Sequence, residues 1–364
     1  MPRVMVAMSG GVDSSVAAAR LLEQGHQVAG VTMQLPDLSG TRAGETPSGE
    51  VETAHRAQKV CHKLGISHRV LDLTAVFYRS VVEPFVAAYA AGRTPNPCLM
   101  CNGVVKWGEL LSYAEAQDCE YLATGHYAQV EEGGGRWLLK RGVDRSKDQS
   151  YVLYGLSQET LARTLLPLGS LSKDEVRQWA MQLDLPAAEV PESQDICFLS
   201  QGDLQAFLRE RVPFAPGLVV DRQGRVLGEH EGLAAYTVGQ RRGLGIGGGE
   251  PLFVIAKDTD ENRLVVGPRT ALARRVVLLE DVNWLSRRPP AVGETVEAEV
   301  EVRYRGQPVA GTVTALEGAR AQLELAAHEQ AVAPGQAAVF YQRDLLLGGG
   351  IITEEGADPY LSHD

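Results

Sequence analysis

The spacing of apolar residues divides the chain into two regions with different periodicities. Up to about residue 200, apolar runs of strand length alternate with longer amphipathic segments. Strands are predicted at about residues 4–8, 27–33, 68–73 and 121–124, and helices at about residues 14–23, 51–64, 75–91, 104–116 and 172–183. This alternation predicts a parallel sheet covered by helices on both faces. Ligands of such sheets bind at the carboxyl ends of the strands.

From about residue 217 the pattern changes to short alternating segments separated by Gly, Pro and Asp. Examples are residues 218–220, 263–266, 297–302 and 337–341. Such spacing is typical of antiparallel all-β units. We therefore expect a small central module and a C-terminal β-barrel after the α/β region, with domains at residues 1–202, 203–272 and 273–358. A chain of 364 residues suits such a division.

The bulk composition limits the compartment and the kinds of partner. No apolar run reaches the roughly eighteen residues of a membrane span, and the N-terminus lacks the features of a signal peptide. Five cysteines, an odd number in a long chain, do not form a disulfide framework. We therefore expect a cytoplasmic protein with no membrane contact. The net charge of −11 restricts any nucleic-acid surface to local basic clusters.

A glycine-rich loop joins the first predicted strand to the first helix. Its sequence is Ser-Gly-Gly-Val-Asp-Ser-Ser, residues 9–15. Glycines let the backbone approach an anion, and a helix N-terminus supplies N–H groups and a positive dipole end. The loop is neither a Walker A motif nor a dinucleotide-binding turn. It predicts a phosphate site in which Asp13 holds Mg²⁺ or fixes the loop; the alternative is a plain strand-to-helix turn.

Three cysteines stand in polar contexts suited to chemistry. Cys98 and Cys101 follow two prolines and precede the helix predicted near residue 104, where a helix N-terminus would lower a thiol pKa. Cys197 lies in a loop, in Glu-Ser-Gln-Asp-Ile-Cys-Phe. Zinc would need a fourth ligand, and no paired Cys/His motif follows. Cys61 and Cys119 have apolar neighbours and are interpreted as core thiols.

These motifs together resemble a known family. The loop at residues 9–15 is similar to that of ATP-splitting adenylating enzymes, such as NAD and GMP synthetases and tRNA sulfur transferases. The chain resembles the tRNA-specific 2-thiouridylase family over residues 3–352. Besides the loop and the cysteines, the resemblance rests on Ala-Thr-Gly-His-Tyr at 123–127, Lys-Asp-Gln-Ser at 147–150, Tyr-Thr-Val-Gly-Gln from 236 and the glycines from 348. The resemblance implies a Rossmann-like PP-loop ATP-pyrophosphatase domain followed by the two β units.

The resemblance also implies a role for individual residues. Cys101 would be the nucleophile and Cys197 the persulfide carrier, with a disulfide between them, while Asn96, Pro97 and Cys98 surround the target base. ATP with Mg²⁺ would lie along Ala7, Met8, Ser9, Gly10, Gly11, Val12, Asp13 and Ser14, with Met33 and Gly125 at the adenosine end. Contacts with tRNA are expected from His126, Lys147, Asp148, Gln149, Arg303, Tyr304 and Gln336. A cysteine desulfurase or sulfur carrier would donate persulfide to a monomeric enzyme.

One departure from the family pattern leaves two mechanisms open. Many members have Asp where this chain has Cys98, so Cys98, Cys101 and Cys197 could together ligate an iron–sulfur cluster. We favour the persulfide relay and assign no metal site. Two other functions remain as alternatives: another ATP-dependent ligase or amidotransferase with this loop, or a tRNA-binding module without catalysis. His126 could likewise be a structural donor within the fold.

Overall fold

The computed structural model describes residues 1–38, 48–188, 190, 196–199, 204–246, 250–329 and 332–353. Residues 39–47, within a stretch rich in Gly, Ser, Thr and Pro that is expected to be a loop, and residues 191–195 before Cys197 lie outside the described residues. In the described part, no helix combines the length and the apolar character needed to cross a bilayer.

The N-terminal half contains a five-stranded parallel sheet in the order β3-β2-β1-β4-β7. Its strands are β1 Arg3–Ala7, β2 Gln27–Gln34, β3 Ser67–Asp72, β4 Tyr121–Ala123 and β7 Thr164–Leu165. Central strand β1 is apolar and buried, as expected of a strand covered on both faces. The predicted Rossmann-like α/β domain is therefore confirmed.

The helices that connect these strands are less regular than the sequence predicts, because segments of π-helix interrupt two of them. They are α1 Val12–Glu23, α2 Ser48–Leu64, α3 Thr74–Phe77, α4 Glu83–Ala90, α5 Pro97–Met100, α6 Leu111–Ala116, α7 Gln158–Ala162 and α8 Lys173–Gln182. Residues Tyr78–Val82 and Cys101–Leu110 are wound as π-helix, and Ser150–Leu153 as 3₁₀-helix. A capping box formed by Ser172 and Glu175 opens α8, where the sequence predicts a helix at about residues 172–183.

The helix predicted to begin near residue 104 begins instead at Pro97, which corrects the expected position of both cysteines. Asn96 has extended backbone angles, and its side chain accepts a hydrogen bond from the Cys98 amide at 3.0 Å. Asn as N-cap followed by Pro at the first helical position is a favoured helix start. Cys98 therefore lies in the first turn and Cys101 at the junction with the π-helix.

The second half forms two β units. A four-stranded sheet contains β8 Gly217–Val220, β9 Val226–His230, β10 Phe253–Asp258 and β11 Arg263–Gly267, and it follows helix α9, Leu204–Arg209. The barrel strands are β12 Arg274–Trp284, β13 Thr295–Glu301, β14 Val309–Leu316, β15 Arg320–Glu329, β16 Ala337–Gln342 and β17 Leu345–Ile352. Pairing of β12 with both β15 and β17 closes this antiparallel barrel. Both predicted β units are confirmed.

A hairpin from the N-terminal half extends the barrel sheet, which the sequence did not predict. Strands β5 Ala128–Gly133 and β6 Arg136–Arg141 pair with each other, and β6 pairs with β17 through Leu139 and Leu346. The two halves also share one hydrophobic core, in which Leu139 and Tyr151 pack with Val339 and Leu346. The barrel is consequently fixed against the α/β domain beside its helices α5 and α6.

Candidate active site

The glycine-rich loop lies where the strand order of the parallel sheet reverses. β1 has β2 on one side and β4 on the other, and crevices at such switch points are where α/β sheets bind ligands. Gly10 has a φ of +68°, and a Cβ there would lie 2.6 Å from the Thr53 carbonyl oxygen. Gly11 caps α1 without a side-chain hydrogen bond, so no cap side chain occupies the first-turn N–H groups. The loop therefore has the features of an anion site.

Serine side chains fix the shape of this loop. The Ser9 amide donates to the Ser14 hydroxyl at 3.1 Å, and the Ser15 hydroxyl donates to the Gly11 carbonyl at 2.8 Å. The loop is thus preorganised by its own residues.

Gly125 follows strand β4 and Met33 lies on strand β2, the two strands that flank β1. A Cβ on Gly125 would lie 2.9 Å from backbone atoms of Asp13 and Ser14, so only glycine permits this approach. Met33 lies near the carboxyl end of β2. The structure therefore brings both expected adenosine residues to the edge of the sheet that carries the loop, and their contact with ATP stays a prediction.

Asp13 is held by two side chains that the sequence did not point to. The Tyr127 hydroxyl donates to Asp13 Oδ1 at 2.7 Å, and Lys173 Nζ lies 2.6 Å from the same oxygen. Lys173 is almost completely buried, at 4% exposure. Of the two roles expected for Asp13, these contacts favour fixing the loop. Lys173 opens the predicted helix α8, but nothing in its sequence context marked it as a partner of Asp13.

The three chemically interesting cysteines come together in space although 96 residues separate Cys101 from Cys197. All three are unpaired thiols that affect one another electrostatically; Cys98 and Cys197 reach solvent, and Cys101 is buried. Phe198 anchors the chain beside Cys197, since its ring packs 5.4 Å from Phe85 and 5.7 Å from Phe77. The described residues contain no group of three or more His, Cys, Asp or Glu side chains arranged to hold a metal ion.

The thiol pKa values differ from the expectation of a helix N-terminus. Cys98 and Cys197 have exposed surface, but the protein atoms around each sulfur reduce its solvation and raise its pKa, to about 12 for Cys197; burial likewise raises the pKa of Cys101. The positive charge of Lys106 acts in the opposite direction on all three. The prediction of a lowered thiol pKa is therefore wrong, because loss of solvation outweighs the favourable helix position. In this state the thiols are protonated at neutral pH.

Lys106 is a cation beside the thiols that no sequence motif indicated. A π-helix closes i→i+5 hydrogen bonds, so its winding places Lys106 one turn after Cys101. In an α-helix the two residues would be rotated by about 140°. Lys106 Nζ donates to Asn102 Oδ1 at 2.9 Å and lies 3.4 Å from His126 Nε2.

His126 is buried next to Lys106 instead of facing solvent. Its Nδ1 lies 2.7 Å from the Thr124 hydroxyl, and its ring packs 5.5 Å from Trp107. Burial, and secondarily the Lys106 charge, hold the pKa of His126 well below its usual value. An ammonium group can only donate, so Nε2 accepts and Nδ1 carries the proton. These contacts favour the structural interpretation of His126, and an RNA contact stays a prediction.

Of the other residues expected to contact tRNA, three lie together on the segment at residues 147–149, and the rest belong to the barrel. Asp148 is buried, accepts hydrogen bonds from the Gly142 and Ser150 amides, and pairs with Arg141 at 3.2 Å. Gln149 accepts from the Tyr127 amide at 3.1 Å. Lys147 is half-buried on the same segment.

The remaining tRNA residues belong to the barrel. Arg303 and Arg305 are exposed, while the Tyr304 ring packs 5.6 Å from Tyr151 and interacts electrostatically with Cys98. The barrel thus contributes a side chain beside the thiols. The Gln336 amide donates to the Thr94 carbonyl, just before Asn96 and Pro97.

The chain matches three family profiles over almost its whole length. The profile described as tRNA methyl transferase HUP domain matches residues 2–201. The tRNA methyl transferase PRC-barrel domain matches residues 205–268, and the aminomethyltransferase beta-barrel domain matches residues 274–352.

Individual relatives are similar from end to end. A tRNA-specific 2-thiouridylase MnmA of Chloroflexus aggregans is 48% identical over 355 residues, covering 97% of this chain and 98% of its own. A protein of the same name from Heliobacterium modesticaldum is 44% identical, covering 96% of this chain and 92% of its own. One from Moorella thermoacetica is 46% identical, covering 96% and 98%.

Proposed function

Because this chain belongs to the tRNA-specific 2-thiouridylase family, we propose that it replaces the 2-oxygen of the wobble uridine of tRNA with sulfur, consuming ATP. The observation that carries the proposal is the continuity between the phosphate loop and the thiols. Gly125 touches Asp13 and Ser14 of the loop, and His126 contacts Lys106, whose charge acts on the three cysteines. Activation by ATP and transfer of sulfur can therefore occur on one bound base.

The first step is activation of the base. A uracil carbonyl oxygen is a poor leaving group, so the 2-oxygen attacks the α-phosphorus of ATP and pyrophosphate leaves. The base then carries AMP on that oxygen. The first-turn N–H groups of α1 and the hydroxyls of Ser9 and Ser14 bind the pyrophosphate end, where negative charge develops. Asp13, held by Lys173 and Tyr127, keeps the loop in position against the pyrophosphate. Its carboxylate would also be a ligand for Mg²⁺.

The second step is transfer of sulfur from a persulfide on Cys197. The terminal sulfur attacks C2 of the base, the C2–O bond breaks, and AMP leaves with the electron pair. Cys101 then loses its proton, helped by the Lys106 charge that stabilises its thiolate, and attacks Cys197 Sγ, and the persulfide S–S bond breaks toward the base to give 2-thiouridine. The two thiol protons pass to solvent, and a Cys101–Cys197 disulfide forms. An external thiol reduces this disulfide before a sulfur-donor protein reloads Cys197.

Residues 96–98 enclose the target base in this proposal. Asn96 shapes the segment by capping α5, and Cys98 lines the pocket without exchanging sulfur. An iron–sulfur cluster on Cys98, Cys101 and Cys197 is the alternative use of the same thiols, since thiolates suit iron. The relay is favoured because persulfide transfer needs no such cofactor.

The test is thiolation of a tRNA transcript supplied with ATP and persulfide, followed by gel retardation on a mercury-containing matrix. Cys101→Ser and Cys197→Ser should each eliminate the thiolated product, while Cys119→Ala, which removes a core thiol elsewhere, should retain it. A ligase or amidotransferase that uses the same loop would not need Cys101 or Cys197. A catalytically inactive tRNA-binding module would release no pyrophosphate when tRNA is added to the parent.

A further inference from the structure

The segment that precedes the target-base residues cannot fix its own position. In Thr94-Pro95-Asn96-Pro97, the two prolines have no N–H and restrict the preceding residues to extended conformations. Such a segment has few internal hydrogen bonds available to it. Its position therefore depends on partners outside the segment.

The C-terminal barrel supplies those partners from the turn at residues 333–336, which we call the barrel turn. The Thr94 amide donates to the Pro334 carbonyl at 2.8 Å. The Gln336 side-chain amide donates to the Thr94 carbonyl at 2.7 Å. Both backbone polar groups of Thr94 are thus bonded to the barrel turn.

Gly335 makes this approach possible. It has a φ of +89°, and a Cβ at this position would lie 3.1 Å from both the Arg93 Cβ and the Thr94 nitrogen. Any other residue would be strained and would push the segment away. The fit between the barrel turn and Thr94 is therefore specific to the residues present.

The barrel turn is itself rigidly attached to the barrel. The Gly335 amide donates to the Ile352 carbonyl at 2.9 Å, and the Ile352 amide donates to the Gln336 carbonyl at 2.8 Å. Ala333 is buried at the start of the turn, and strand β16 begins directly after Gln336. A displacement of Thr94 would therefore have to break hydrogen bonds to a fixed support.

We infer that Gly335 and Gln336 are positioning residues of the active site, which hold Thr94 and thereby place Asn96–Cys98 against the target base. This inference rests on the proposed function for the identity of the base segment. It gives the Gln336 amide a role within the protein, distinct from the tRNA contact that family resemblance suggests. The barrel then completes the catalytic pocket in addition to any RNA surface it provides.

The two roles of Gln336 predict different kinetics. Misplacement of reacting groups by about 1 Å lowers the rate of the bound complex by up to about 100-fold without weakening binding. A lost RNA contact weakens binding, and saturating tRNA restores the rate. The rate at saturation and the dissociation constant of tRNA therefore separate the two.

The experiment uses full-length Gln336→Leu and Gly335→Ala, with Gln342→Leu as the matched control because Gln342 is exposed on the same barrel. The rate of single-turnover thiolation is measured at saturating tRNA. The affinity for tRNA is measured by filter binding, and the exchange of the Thr94 amide hydrogen is measured by mass spectrometry. We expect a rate reduction of about 10-fold or more in both test variants. We expect tRNA affinity within about twofold of the parent and faster Thr94 exchange, with the control unchanged on all three measurements.

Two results would overturn the inference. One is weaker tRNA binding with a normal rate at saturation, which would make Gln336 an RNA contact; the other is an unchanged rate and unchanged exchange. Where Gln336→Leu fails to fold, Gln336→Glu removes the amide donor with little change in volume and is read in the same way. Thr94 exchange requires no tRNA, so it decides the positioning contact even if the parent shows no thiolation and the proposed function fails.

Discussion

Replacing Asp13 by Ala tests the assignment of the phosphate loop most directly. The carboxylate accepts a hydrogen bond from Tyr127 at 2.7 Å and forms an ion pair with Lys173 at 2.6 Å. The change removes both contacts, and buried Lys173 loses the carboxylate of Asp13. The first turn of α1, directly after the loop, would then lose its ion pair with α8.

The expected cost in stability follows from the burial of the two partners. Breaking a fully buried ion pair costs about 3–5 kcal/mol. The Asp13 side chain is 34% exposed, so solvent screens part of the interaction. We therefore expect a loss of roughly 1–2 kcal/mol, and a melting temperature lower by a few degrees.

The expected effect on chemistry is much larger. Asp13 holds the loop in place, and a misplacement of the reacting groups by about 1 Å lowers the rate by about 100-fold. Asp13→Ala should therefore abolish tRNA-dependent pyrophosphate release in practice. Ser9→Ala should do the same because it removes the 3.2 Å contact between the Ser9 and Ser14 hydroxyls and one hydroxyl that would bind the pyrophosphate. Filter binding should show tRNA affinity within a few fold of the parent. An equal loss of tRNA binding would mean that the loop has been misassigned.

Three further predictions concern the basic barrel segment and the thiols. Replacing Arg303 and Arg305 by Ala should weaken tRNA binding and flatten its salt dependence by about one unit of slope per lost phosphate contact; an unchanged slope would mean that these side chains do not face phosphates. Cys98→Asp should retain substantial activity when persulfide is supplied, and loss of activity together with stoichiometric iron in the parent would favour the cluster mechanism. Because burial raises the pKa of Cys197 to about 12, its alkylation near pH 7 should be much slower than that of free cysteine, whose pKa is about 8.5, and should accelerate as pH rises. Alkylation at the rate of free cysteine would contradict the raised pKa of Cys197.

The sequence predicted the features that depend on local pattern. Parallel strands buried on both faces appear as apolar runs, and the change to alternating segments near residue 217 identified the β units. The loop at residues 9–15 and the residues around Cys101 and Cys197 also indicated the site. Their glycine, proline and polar residues form motifs that ordinary turns rarely contain. The division at residues 202 and 272 stays a prediction.

The features that the sequence missed depend on contacts between distant residues. Lys173 reaches Asp13 across 160 positions of the chain, and Lys106 reaches the thiols through a π-helical turn that no periodicity indicated. The raised thiol pKa values reflect desolvation by packed neighbours, which a local motif does not encode. Asn96 and Pro97 did carry a readable helix-start signal, which would have placed the helix correctly.

The pairing of β6 with β17 has a consequence for synthesis on the ribosome. Lys140 is paired with Leu345, which is translated 205 residues later. At about 5–20 residues per second, the β6 edge waits roughly 10–40 s for its partner. During that interval its open N–H and C=O groups could pair with another nascent chain. The edge of this hairpin therefore stays open until β17 emerges, and truncation before β17 would leave that edge permanently exposed.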